Sequence, residues 1–177
     1  MPFPLPRLAR HSLAALAFIV LAGCGFHLRG PQPLDFSTLY IGVGQYSPLG
    51  TALRRQVALS GTTTVEEDTK RAEVSLQILA NERTREILSL TPAGKVREYE
   101  LGQRIRFRLA DRSGSELIPP TNITARREYT FNDELILGKE QEEALLYRDM
   151  ENDLVRQIMR RLAAWRRTAE TRDPAQP

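Results

Sequence analysis

One thiol and two imidazoles are all the 177-residue chain offers for soft-metal or histidine-assisted chemistry: Cys24, His11 and His27. All three lie at the N-terminal end, so the rest of the chain has neither group. Ser-His and Cys-His nucleophiles and histidine metal sites are thereby excluded from the folded part. Gly42-Val43-Gly44 lacks the third glycine and the Lys-Ser/Thr of nucleotide loops, and reads as a turn. Carboxylates could still form an acid/base pair. However, 22 acidic residues against 25 basic ones read as a mixed-charge surface, and the expectation is no enzyme, no metal and no dissociable cofactor. What remains is recognition chemistry. Arg104, Arg106 and Arg108 recur at period two, and Arg126 follows on a later segment. Guanidinium groups so arranged suit bidentate contact with phosphate or carboxylate.

The chemistry expected of Cys24 is set by what precedes it. Arg7 and Arg10 stand before an apolar run from Leu13 to Ala22, and small residues end the segment. That is the layout of a secretory signal, and the run is about half of the roughly 20 residues a spanning helix needs. Leu21-Ala22-Gly23-Cys24 resembles the lipobox of bacterial lipoproteins. Cleavage is expected between Gly23 and Cys24, with diacylglycerol and an N-acyl chain then attached to the cysteine. One chain anchors marginally and two or more anchor stably. Gly25 stands where an aspartate would retain a lipoprotein in the inner membrane, so the expected location is the periplasmic face of the outer membrane. Removing residues 1–23 takes away two basic residues and no acidic ones, leaving 23 Lys and Arg against 22 Asp and Glu. So balanced a charge gives no argument for nucleic acid. With one cysteine no internal disulfide can form, and the core must hold the fold unaided.

Residues 24–37 read as a tether broken by Gly30, Pro31 and Pro33, and 38–167 as a single domain. Leu39, Ile41 and Val43 alternate as a strand. Ser47-Pro48 starts a helix that carries Leu49, Ala52, Leu53 and Val57 on one face and stops at Gly61. Three longer strands follow. Val74, Leu76, Ile78 and Ala80 share a face in the first; Tyr99, Leu101, Ile105, Phe107 and Leu109 in the second; Ile123, Ala125, Tyr129 and Phe131 in the third. Turns fall at Thr91–Gly94 and Asp111–Gly114. A long helix from about Lys139 to Arg166 carries Met150, Leu154, Ile158 and Leu162 inward, with Glu140, Glu142 and Glu143 expected in its first turns. A disordered tail is expected from Thr168 to Pro177. The order β-α-β-β-β-α predicts an α+β two-layer sandwich: a four-stranded, mostly antiparallel sheet with both helices on one face.

Such a sheet leaves one face without helices. Arg104, Arg106, Arg108 and Arg126 are predicted on it, and Arg83 and Arg85 are candidates to join them. They would either bind an anionic group or pair across strands with Glu98, Glu100 or Glu128. Arg127 falls on the apolar side, so a bulge, or a head group reaching water at the sheet's end, is needed to accommodate it.

Several segments resemble the lipopolysaccharide-assembly lipoprotein (LptE) family. They are Gly23-Cys24-Gly25-Phe26-His27-Leu28-Arg29-Gly30, Glu98-Tyr99-Glu100-Leu101 and Arg127-Glu128-Tyr129-Thr130-Phe131-Asn132. Leu137-Gly138-Lys139-Glu140, running into Glu142-Glu143-Ala144 and Tyr147-Arg148-Asp149-Met150, completes the set. The likeness extends from Cys24 to Leu162, and its weight lies in the order and spacing of the segments. It implies a plug in the lumen of a large outer-membrane β-barrel, the lipopolysaccharide-assembly protein LptD. It further implies binding of lipopolysaccharide, a requirement in barrel assembly, and delivery of lipopolysaccharide to the outer leaflet. In the family, ligand binding is attributed to basic residues in the loop between the first two long strands and at the start of the last helix. Lys139 matches the second position. The loop position falls near Pro92, which is not basic; Lys95 and Arg97 are the nearest substitutes, and Arg127 is a further candidate. The competing reading is a freestanding periplasmic lipid- or glycan-binding lipoprotein, which requires an apolar pocket between sheet and helices.

Overall fold

The computed structural model describes residues 33–132 and 135–170, with side chains in the last helix up to Trp165. The elements are β1 (Thr38–Gly42), α1 (Pro48–Ser60), β2 (Thr64–Glu66), β3 (Val74–Leu90), β4 (Val96–Asp111), β5 (Glu116–Thr130) and α2 (Ile136–Glu170). The sheet has five strands in the order β2-β1-β3-β4-β5, one more than expected. The extra strand is Thr64-Val65-Glu66, too short for any alternation to be read. β1 pairs in parallel with β2 and β3, while β3, β4 and β5 form an antiparallel meander.

Local chemistry accounts for α1. Ser47 is extended at the N-cap and accepts from the Gly50 amide, and Pro48 fits the first turn, where no amide partner is needed. Gly61 ends the helix at φ 72°, a left-handed conformation that costs glycine little. Leu49, Leu53 and Val57 then face the sheet. The tether ends sooner than residue 37, because Leu34 and Phe36 are already buried in the core.

α2 starts at Ile136, three residues before the expected start, and runs to Glu170. Its first turn therefore holds Lys139 and no acidic residue, so Glu140, Glu142 and Glu143 do not occupy the first turn. Its inner stripe of Met150, Leu154, Ile158 and Leu162 is buried as the periodicity predicts. Both helices pack on one sheet face around Leu39, Ile41, Leu76, Ile105, Phe107 and Leu109.

Register in the meander decides what each strand presents. Ile78 pairs with Phe107, but Ala80 pairs with Arg106, so Leu79 is an extra residue on β3. Such a bulge inverts the side-chain alternation beyond it. Ala80 consequently leaves the apolar face, while Asn81, Arg83, Arg85 and Ile87 take the side opposite Ile105, Gln103, Leu101 and Tyr99.

Candidate functional site

The bulge at Leu79 sends Arg83 and Arg85 to the helix side, not to the open face where the sequence pattern allowed them. There they meet the N-terminal half of α2. Arg83 Nη2 donates to Glu151 Oε2 at 3.2 Å, and Arg85 Nη1 to Glu143 Oε2 at 3.2 Å. Glu151 is buried, with 8% of its side chain exposed, so its charge requires that partner. The guanidinium of Arg83 lies 4.9 Å from the ring centroid of Tyr147, and that of Arg85 lies 4.1 Å from Tyr99. Tyr99 stacks on Tyr129 at 5.8 Å and meets Phe131 edge-on at 5.3 Å. Tyr129 donates its hydroxyl to Glu143 at 2.7 Å, and Tyr147 donates to the Thr84 carbonyl at 2.8 Å. Burial first, then the neighbouring Glu143, pushes both phenols above their ordinary range. An open groove of about 520 Å³ remains beside this cluster.

Arg127 belongs to the same side. No register shift occurs near it, so the bulge suggested for it is absent. It pairs instead with Asp153 of α2, which also holds Arg156. This charge fastens the helix to β5 and is not grouped with the other ligand candidates.

On the open face the arginines are largely matched across strands. Arg104 meets Glu82 at 2.5 Å, Arg108 meets Glu116 at 3.0 Å and Gln77 at 2.8 Å, and Arg126 meets Glu100 at 3.4 Å. Arg106, opposite Asn122, has no ion-pair partner among the described residues. In the middle of this face Gly102 leaves a recess of about 240 Å³ between Thr84, Thr124 and Arg126.

The remaining candidates gather at the far end of the meander. The Phe131 amide donates to the Arg97 carbonyl at 2.8 Å, so the end of β5 lies beside Arg97, close to the Thr91–Lys95 turn. From Glu143, which touches both Arg85 and Tyr129, α2 runs back toward the same end, and Lys139 sits one turn earlier. Lys139 Nζ reaches Glu142 at 2.7 Å, and Arg97 reaches Glu98 at 3.4 Å. Glu98 also accepts from the Ser89 hydroxyl at 2.5 Å, the main reason its carboxyl is held below the usual range. Ile87, Leu88 and Leu90 of β3 and Leu135, Ile136 and Leu137 at the head of α2 are all exposed. The sequence reading missed this apolar component. Its signal was present, since two short runs of consecutive large aliphatic residues at exposed positions break the binary pattern. Gly23, Cys24 and His27 lie outside the described residues.

A family model described as lipopolysaccharide-assembly, LptE, matches residues 36–162. The chain belongs to the LptE family. An LPS-assembly lipoprotein LptE of Pectobacterium atrosepticum is 31% identical over 150 residues, covering 83% of this chain and 80% of its own. Its counterpart in Yersinia enterocolitica is 29% identical over 158 residues, covering 85% and 73%. Among solved structures, lipoprotein B of Nitrosomonas europaea superposes with a TM-score of 0.68 at 34% identity, covering 84% of this chain and 97% of that one. The rare lipoprotein B of Shewanella oneidensis gives 0.66 at 25% identity, covering 76% and 99%. The LptE match includes the whole meander and α2 as far as Leu162, and so takes in the far-end cluster.

Proposed function

We propose that this LptE-family chain is a non-enzymatic outer-membrane lipoprotein, held by acyl chains on Cys24, that plugs the lumen of the LptD barrel. In this reading it binds lipopolysaccharide with its far end, is needed for barrel assembly, and helps place lipopolysaccharide in the outer leaflet. The observation that carries the ligand role is the pairing, at one end, of exposed aliphatic side chains with Lys139, Lys95 and Arg97. Lipopolysaccharide presents the complementary pair, acyl chains beside phosphates. Lys139 occupies the first turn of α2, where the helix dipole disfavours a cation. An anionic ligand would offset that cost, as Glu142 does in part. The polar open face suits a barrel lumen, which is itself polar. A freestanding lipid carrier finds no support, because the space between sheet and helices is filled by Ile105, Phe107, Leu154 and Ile158, none of them accessible to water.

Replacing Lys139 with Asp and both Lys95 and Arg97 with Ala tests the ligand role. Lipopolysaccharide binding should weaken by about tenfold or more, the equivalent of roughly 1.4 kcal/mol, with an unchanged circular dichroism spectrum. Full binding by this variant would remove the far end as the contact.

A further inference from the structure

β5 ends the sheet, and none of the described strands pairs with its free side. The Phe131 amide donates to the Arg97 carbonyl, and from there the register with β4 runs unbroken to Thr121 opposite Phe107. In an antiparallel ladder both backbone groups of every second residue point the same way. Phe131, Tyr129, Arg127 and Ala125 therefore spend theirs on β4. Those of Thr130, Glu128, Arg126, Thr124 and Asn122 point outward. Among the described residues, the one bond to that outward row is local: Arg127 Nη1 donates to the Arg126 carbonyl at 2.8 Å. Pro119 and Pro120 close the row on one side, as proline does on an edge. An open edge of this kind is a template for another strand.

We propose that two copies of this chain join edge to edge along β5, antiparallel and centred on Arg127, so that their two five-stranded sheets become one. The side chains of β5 select this partner and this register. With the two-fold axis at Arg127, Arg126 of each copy stands opposite Glu128 of the other, and Thr124 opposite Thr130. These are the outward-pointing residues, so each pair is also hydrogen-bonded through the backbone. On the helix side Ile123 meets Phe131, and Ala125 meets Tyr129. Opposite charges, paired threonines and an aromatic against a β-branched residue are favourable cross-strand combinations. Sliding one strand by two residues moves the axis to Arg126 or to Glu128 and sets like charges against each other there. Glu128 has no ion-pair partner among the described residues and faces Glu100 within its own sheet, so the second copy supplies the cation it lacks. The two Arg127 side chains meet at the axis with their charge already held by Asp153.

Sedimentation equilibrium of the full chain in density-matched detergent is the test. The parent should show a monomer–dimer equilibrium with a Kd in the micromolar range, because one strand edge buries less than the standard interface of about 1,600 Å². Arg126→Glu and Glu128→Arg, made singly, each set like charges opposite one another in both outer pairs and should raise Kd about tenfold or more. Made together they restore opposite charges, and Kd should return to within about threefold of the parent. Thr124→Pro removes an outward amide without touching the β4 ladder, and should abolish the dimer with an unchanged circular dichroism spectrum. Under oxidation Arg127→Cys should cross-link two copies, since the Cα atoms of such a non-hydrogen-bonded pair lie about 4.5 Å apart, within disulfide reach. Ala125→Cys should not. A parent that stays monomeric at about 1 mM overturns the inference. A dimer indifferent to the single reversals and to Thr124→Pro is built elsewhere on the molecule and overturns it too, as does a double variant no tighter than the single ones. None of these outcomes bears on lipopolysaccharide binding, so the function proposed above stands or falls by its own test.

Discussion

Around Phe107, the sheet and the two helices meet through Leu39, Leu53, Leu76, Ile105, Leu154 and Ile158, side chains that water does not reach. Beyond the bulge the picture changes. From Asn81 to Leu90 no residue of β3 is buried, and the first half of α2 is held by Arg83–Glu151, Arg85–Glu143 and Arg127–Asp153. The two halves share strands and a helix, yet they are secured by different forces. Burying one large aliphatic or aromatic side chain contributes about 1.5–3 kcal/mol. A half-exposed ion pair contributes about 0–1 kcal/mol. Stability should therefore fall along the meander, and the far end, where the ligand candidates lie, is the part that opens at least cost.

The largest effect belongs to the inner half. Phe107→Ala should destabilise the whole domain by about 3–5 kcal/mol, measured by urea unfolding. A smaller and local effect is expected from Arg83→Ala, which leaves the Glu151 carboxylate buried without its cation. It should cost about 1–3 kcal/mol. Hydrogen exchange should quicken in α2 ahead of Leu154 while the Leu154–Leu162 stretch stays protected. Uniform loss of protection would mean that the halves unfold as one, and the comparison would fail.

The smallest effect separates the halves by pH. Asp111, in the turn next to the inner half, accepts from the Ser113 hydroxyl at 2.6 Å and from the Ser113 and Ser115 amides at 2.8 and 2.9 Å. Those bonds, the Ser113 hydroxyl foremost, hold its carboxyl below the ordinary range. Glu98, at the far end, is lowered mainly by Ser89. In both cases the folded value lies below the unfolded one. The contribution is thus complete above the ordinary carboxylate pKa of about 4 and is lost as pH falls through the folded value. Amide shifts of Ser113 and Ser115 should move below about pH 4 and stay still in Asp111→Asn. Ser89→Ala should raise the Glu98 titration and leave that of Asp111 untouched.

Much of the inner half was legible in the sequence because it obeys simple periods. Ser47-Pro48 and Gly61 bracket α1, and Ile105, Phe107 and Leu109 alternate inward as expected. The far half was less legible, since an inserted residue leaves no compositional trace. The alternation through Val74, Leu76 and Ile78 continues smoothly onto Ala80, and nothing in residue type announces that Leu79 has no partner. Arg83 and Arg85 were therefore left as candidates for the open face, which they do not reach. β2 escaped because three residues cannot display a period. For Lys139 the sequence located the helix within one turn but misjudged its start. The earlier start leaves Lys139 in the first turn, as expected, and moves Glu140, Glu142 and Glu143 beyond it.

The extra residue at Leu79 gives β3 something like a reading frame. From Val74 to Ile78 one parity faces the helices; from Ala80 to Ile87 the other does, until the register shifts again before Ser89. Lengthening or shortening the outer strands by residue pairs would leave that frame intact and only extend or retract the tip. A change of one residue between Leu79 and Arg83 would turn Arg83 and Arg85 out to water and bring Glu82 and Thr84 under α2. Such a change would dismantle the helix anchorage and the open charged face at the same time.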